Sequence, residues 1–311
     1  MFLFNLIIAE IILKSIVRTH DFLVNNQQKN SYIPMSKARG FTLLFDNEVK
    51  GARSLKKGYL FLAAILFVFT GCSAKQDDTQ GAPKKDVELT ISAAASLQDA
   101  LTEITDNFSE KNKQIIINYN FGASGALQQQ ISQGAPVDLF FSAAEDKFEK
   151  LVSEGLIESG VNLVGNELVL VVPKGAKKEI KSFADLPKAD KLSIGTPEVV
   201  PAGSYAKEAL TNLKVWNSVA EKVVPAKDVR QVLTYVETGN VDAGMVYKTD
   251  ALTSTKVEIA ATAGEKTHTP IVYPVGIIKA SSHPKEAMLF YEYLQTKEAM
   301  KVFEKYGFKG L

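Results

Sequence analysis

Four short segments place small residues, hydroxyls or prolines where a strand-like apolar run gives way to a helical period. They are Ala95-Ser96-Leu97, Ala123-Ser124-Gly125, Val200-Pro-Ala-Gly203 and Ala226-Lys-Asp-Val229. A helix start leaves its first N–H groups unpaired and carries about half a positive charge from the macrodipole. Several such starts aimed at one point make an anion site without any ammonium or guanidinium group. Each contributes only about 0.3–1 kcal/mol when exposed and up to about 2 kcal/mol when partly buried, so one start is weak and four around a dry cleft suffice for a dianion. A monoprotonated phosphate must also donate a hydrogen bond and so needs an inward acceptor. These segments offer donors, and Asp99 and Asp228 are expected beside helix starts, where a carboxylate favours the dipole. An unprotonated dianion fits best.

Each residue also has an ordinary structural reading. Ser96, with Asp99 three residues on, reads as an N-cap close to a capping box. Ser124 reads as a turn residue, and Ala202 and Val229 could contribute only backbone N–H. Tyr247, closing an apolar strand, reads as core. Other chemistries have less support. Ser124 in Gly122-Ala-Ser-Gly-Ala126 suggests a nucleophile elbow, but that pattern needs glycine where Ala126 stands. A serine hydrolase also needs a histidine, and beyond residue 86 there are only His268, in a polar loop, and His283, before Pro284. No His, Cys and carboxylate cluster has metal-ligand spacing. A net charge of +1 gives no sign of a nucleic-acid partner.

The elements that must position these segments alternate, which argues for α/β. Val87, Leu89 and Ile91 form a strand ahead of Ser96, and Leu97, Ala100, Leu101, Ile104 and Phe108 follow at helical spacing. Residues 115–121 form a second strand ahead of Ser124, and 137–141 a third. Residues 167–172, closed by Pro173, read as a buried crossing strand. The pattern then repeats: a strand at 192–195, a loop at 196–201, a helix at 204–210, a helix carrying Val229, Val232, Leu233 and Val236, and a strand at 241–247. Residues 270–278 read as a returning strand and 284–306 as one final helix beginning at a proline, which a first helical turn tolerates. Open α/β sheets bind ligands at the carboxyl ends of their strands, where all four segments fall.

Upstream, Arg53, Lys56 and Lys57 precede an uncharged run at 58–69 that ends in Thr70-Gly71-Cys72. Basic residues, a short apolar run and a small residue describe an export signal, and twelve residues fall short of the ~20 that span a bilayer. The ending resembles a bacterial lipobox, in which the cysteine is acylated, although Phe69 replaces the preferred aliphatic residue. Residues 49–71 thus read as a signal peptide with a lipobox, and 72–86, polar and small, as a flexible tether from lipidated Cys72. Residues 1–48 show no domain pattern and read as an upstream extension.

Taken together, Ala93-Ala-Ala-Ser-Leu97, Phe121-Gly-Ala-Ser-Gly125, Gly134-Ala-Pro-Val-Asp-Leu-Phe140, Val200-Pro-Ala-Gly-Ser-Tyr-Ala-Lys-Glu-Ala-Leu210, Ala226-Lys-Asp-Val-Arg230, Gly244-Met-Val-Tyr247 with Thr249-Asp-Ala251, and Lys305-Tyr-Gly-Phe308 resemble the molybdate-binding proteins of bacterial ABC importers. The resemblance covers 87–311. It implies a two-lobed type II periplasmic-binding-protein fold, each lobe a mostly parallel sheet flanked by helices, with lobe one at 87–171 plus 270–311 and lobe two at 172–269. It implies that molybdate meets the hydroxyl and backbone N–H of Ser96 and Ser124, the N–H groups of Ala202 and Val229, and the Tyr247 hydroxyl. Gly125 and Ala126 stand where the family often has further hydroxyls. The implied role is capture of molybdate, or tungstate of nearly equal size, outside the membrane by a monomer that hands it to an ABC importer permease, with no enzyme activity and no cofactor. Sulfate or thiosulfate is the alternative ligand on this scaffold.

Overall fold

The computed structural model describes residues 86–311; the expected upstream extension, the signal peptide, Cys72 and all but the last tether residue lie outside the described residues. The first lobe is built from β1 (Val87–Ala94), α1 (Gln98–Lys111), β2 (Ile115–Gly122), α2 (Ser124–Ser132), β3 (Leu139–Phe141), α3 (Glu145–Ser153) and β4 (Ile157–Gly165). The chain crosses at Asn166 and Glu167 into the second lobe. That lobe holds β5 (Leu168–Pro173), β6 (Leu192–Gly195), α4 (Pro201–Asn212), α5 (Trp216–Val219), β7 (Val223–Ala226), α6 (Val229–Glu237), β8 (Ala243–Tyr247), α7 (Lys248–Leu252) and β9 (Val257–Thr262). Residues 263–271 return it to the first lobe for β10 (Val272–Ile278), α8 (Pro284–Leu294), α9 (Lys297–Lys305) and β11 (Lys309–Gly310).

The strand order is β11-β4-β10-β3-β1-β2 in one sheet and β7-β6-β8-β5-β9 in the other. Within each, a parallel trio (β2-β1-β3, and β7-β6-β8) abuts an antiparallel strand arriving from the opposite lobe, β10 in the first and β5 in the second. The lobes therefore repeat one topology without repeating a sequence. The sheets are mixed rather than mostly parallel, because the crossing strands enter from the far side and pair antiparallel.

Two further expectations need correction. Leu168 to Val171, read as the end of lobe one, pair with β8 and β9 in the second sheet, so the crossover lies at Asn166–Glu167. The single helix expected over 284–306 is two: α8 ends at Leu294, and Thr296 caps α9 by accepting from the Ala299 N–H at 3.3 Å. A threonine side chain that satisfies a new first turn favours a restart over continuation. Both sheets are core. β5 is apolar on both faces and buried from Leu168 to Val172, as a strand covered by helices on each side must be.

Candidate anion-binding site

Three junctions per lobe, each at the carboxyl end of a parallel strand, converge on the cleft. In the first lobe β1 leads to Ser96, β2 to Ser124 and β3 to Ala143. In the second, β6 leads to Ala202, β7 to Val229 and β8 ends at Tyr247. All six line one narrow cavity of about 10 Å³, room for about one water. No charged side chain lines it. Larger voids of about 320 Å³, beside the crossover segments, and about 390 Å³, near α8, contain none of the six residues.

Local chemistry explains how each donor is presented. Ser96 sits in a tight 3₁₀ turn, Ala95–Leu97, ahead of α1, and no side chain caps either helix start. The capping-box reading is therefore wrong: the turn delays α1 to Gln98, and the buried Ser96 Oγ lies 2.9 Å from the Tyr273 hydroxyl instead. Ser124 is the first residue of α2, fully buried, and its Oγ accepts the Ala143 N–H at 2.9 Å. With that lone pair filled, its own proton is free to point into the cavity. Ala202 lies in the first turn of α4, after Pro201, where its N–H has no helical partner. The approach of α4 to β6 requires glycine, since a Cβ on Gly203 would stand 1.9 Å from the Gly195 carbonyl oxygen. Val229 opens α6, whose N-cap Asp228 accepts from the Gln231 N–H at 2.8 Å, leaving the Val229 N–H unclaimed by the cap.

Tyr247 is buried, and desolvation pushes its phenol well above the ordinary value, so it stays a neutral donor. Its hydroxyl donates weakly across the cleft to the Ala143 carbonyl at 3.4 Å. A backbone bond also crosses the cleft: the Gly125 N–H donates to the Val199 carbonyl at 3.0 Å, and a Cβ at 125 would meet that oxygen at 2.7 Å. Glycine at 125 thus lets the two lobes touch backbone to backbone.

Beside Val229, Arg230 pairs with Asp99 of the first lobe and places Nε 2.8 Å from Oδ1 of buried Asp250, close in distance but poorly aligned as a hydrogen bond. Burial raises Asp250 to about 6, against the lowering pull of Arg230. Asp99 is in the first turn of α1, as expected, but its carboxylate also reaches across the cleft.

The structure brings Ser96, Ser124, Ala202, Val229 and Tyr247 to one place, and adds Ala143, which the sequence reading missed. Its signal was available: Ser142-Ala-Ala144 follows the third strand of lobe one, as Tyr247 ends the third of lobe two. Neither His268 nor His283 lines the cavity, and the Ala143 N–H, not a base, bonds Ser124. No metal-holding cluster of His, Cys, Asp and Glu occurs among the described residues.

Residues 89–309 match the family model of the bacterial extracellular solute-binding proteins. The chain belongs to that family. It is 59% identical over 257 residues to a Bacillus subtilis protein named as an ABC transporter substrate-binding lipoprotein, covering 81% of this chain and 98% of that one. It is 35% identical over 251 residues to the molybdate-binding protein of Escherichia coli, covering 78% and 97%. A solved substrate-binding domain assigned to a molybdenum ABC transporter of Clostridium difficile is 42% identical, covers 73% of this chain and all of its own, and superposes with a TM-score of 0.58. The chain is therefore a solute-binding protein, and the six junctions line one cavity between its lobes.

Proposed function

We propose that this solute-binding protein captures molybdate, and tungstate of nearly the same size, outside the cytoplasmic membrane and delivers it to an ABC importer. The observation that carries the reading is the gathering of neutral donors from both lobes around a cavity lined by no carboxylate. Such a site accepts an anion that brings four acceptor oxygens and no proton. Its donors belong to two lobes joined by two crossovers, so the anion stabilises the closed form through contacts that the open form lacks. The importer then reads the closed shape. The molybdate-binding relative from Escherichia coli and the Clostridium difficile domain support the choice of molybdenum oxyanion. The lipoprotein relative supports a mature chain tethered to the membrane through acylated Cys72.

Thermal unfolding with molybdate, tungstate, sulfate or phosphate tests this. A ligand at 100 times its dissociation constant adds about 2.7 kcal/mol to stability by mass action. Molybdate and tungstate are expected to raise the melting temperature by several degrees at micromolar concentration, and phosphate not at all. A shift with sulfate alone would overturn the choice of anion.

A further inference from the structure

Behind Ser96 lies a buried chain of hydrogen bonds that ends at the crossover. Asn166, the last residue before the chain enters the second lobe, accepts the Glu167 N–H on Oδ1 at 2.8 Å. That bond fixes the amide orientation, because only an oxygen can accept there. Nδ2 must then point the other way, and it donates to the Thr249 hydroxyl at 2.9 Å and to the Tyr273 hydroxyl at 3.1 Å. The Tyr273 hydroxyl, with one lone pair filled by Asn166, has its proton free for its other partner, Ser96 Oγ, at 2.9 Å. When Tyr273 gives that proton to Ser96 Oγ, Ser96 keeps its own proton to give.

We propose that Asn166 and Tyr273 are positioning residues for anion capture, a one-way donor relay that makes Ser96 a hydrogen-bond donor toward the cavity. All four members are buried, so water does not compete to reorient them. Burial also holds the Tyr273 phenol in its neutral, donating form. Ser124 reaches the same state by a shorter route, its Oγ filled by the Ala143 N–H. Both serines of the first lobe therefore have a proton to offer the cavity, which favours an oxyanion that carries no proton of its own. The relay is also joined to lobe two, since Thr249 lies two residues beyond Tyr247 and Asn166 lies in the crossover itself.

The inference rests on the site assigned above, and a double-mutant cycle read by calorimetric molybdate titration separates the two. Tyr273→Phe removes the donor to Ser96 and is expected to weaken molybdate binding about tenfold. In the Ser96→Ala background the same substitution is expected to change affinity less than about twofold, because no hydroxyl remains to orient. The ratio of molybdate to monoprotonated arsenate affinity is expected to fall in Tyr273→Phe and to stay unchanged when Tyr273→Phe is added to Ser96→Ala. Should Tyr273→Phe not fold, Asn166→Asp carries the same test: its carboxylate draws the tyrosine proton away, and its effect must be larger with Ser96 present than in Ser96→Ala. Equal losses in both backgrounds would overturn the relay and leave the site standing. Absence of molybdate binding by the native chain would instead overturn the site.

Discussion

At the scale of single residues, the cleft works by keeping polar groups neutral and their protons aimed. Ser124→Ala deletes one donor and strands the buried Ala143 N–H, which costs about 1–3 kcal/mol. We expect at least tenfold weaker molybdate binding and a lower melting temperature, read by calorimetry and thermal unfolding. Tyr247→Phe gives up only a long bond to Ala143, so affinity should fall while the fold keeps its stability. Unchanged affinity in both variants would remove these residues from the site. Asp250 carries a separate prediction. Its pKa, raised by burial to about 6, means that the folded chain holds a proton between about pH 4 and 6 that the unfolded chain releases. This group's contribution to stability therefore falls as pH rises through that window. The melting temperature of Asp250→Asn, which cannot titrate, should gain on that of the native chain from pH 4 to 7; a constant gap would contradict the raised pKa. Residue types were legible in the sequence to the extent that hydroxyls and small residues mark helix starts. The partner of Ser96 was not, because Tyr273 is 177 positions away and nothing local distinguishes a capping serine from one turned toward a distant phenol.

At the scale of elements, site geometry depends on how closely helix starts approach strand ends. Gly203→Ala would press a methyl into the Gly195 carbonyl and push the first turn of α4, with the Ala202 N–H, off its place. A loss of both stability and molybdate affinity is expected, and a variant as stable and as tight as the native chain would refute the close-approach argument. Periodicity revealed most of the elements, since β1, β2, β5, β6, α6 and β10 alternate or repeat as their burial demands. It failed where tertiary context decides. β9 alternates only weakly and is held by pairing with β5, while the break between α8 and α9 hangs on one threonine that also fits a helix interior.

At the scale of the whole molecule, the lobes are two copies of one topology whose strand ends face each other, and closure is a matter of contacts between them. The Arg230–Asp99 pair bridges the cleft at partly exposed positions, where such pairs contribute about 0.2–1 kcal/mol. Asp99→Asn should therefore speed molybdate release by up to about fivefold in stopped-flow measurements, with little change in melting temperature; unaltered release would show that the pair takes no part in closure. The sequence carried the existence of two lobes through its repeated order of elements, but not the point of crossing. An apolar run such as Leu168 to Val172 is equally at home in either sheet, and only pairing with β8 and β9 assigns it.

The most direct test is a crystal structure of the chain grown with molybdate and measured at the molybdenum absorption edge. A single anomalous peak is expected in the cleft, with oxygens at hydrogen-bond distance from Ser96, Ser124, Ala202, Val229 and Tyr247. A peak outside that cavity, or none with molybdate in excess, would contradict the account.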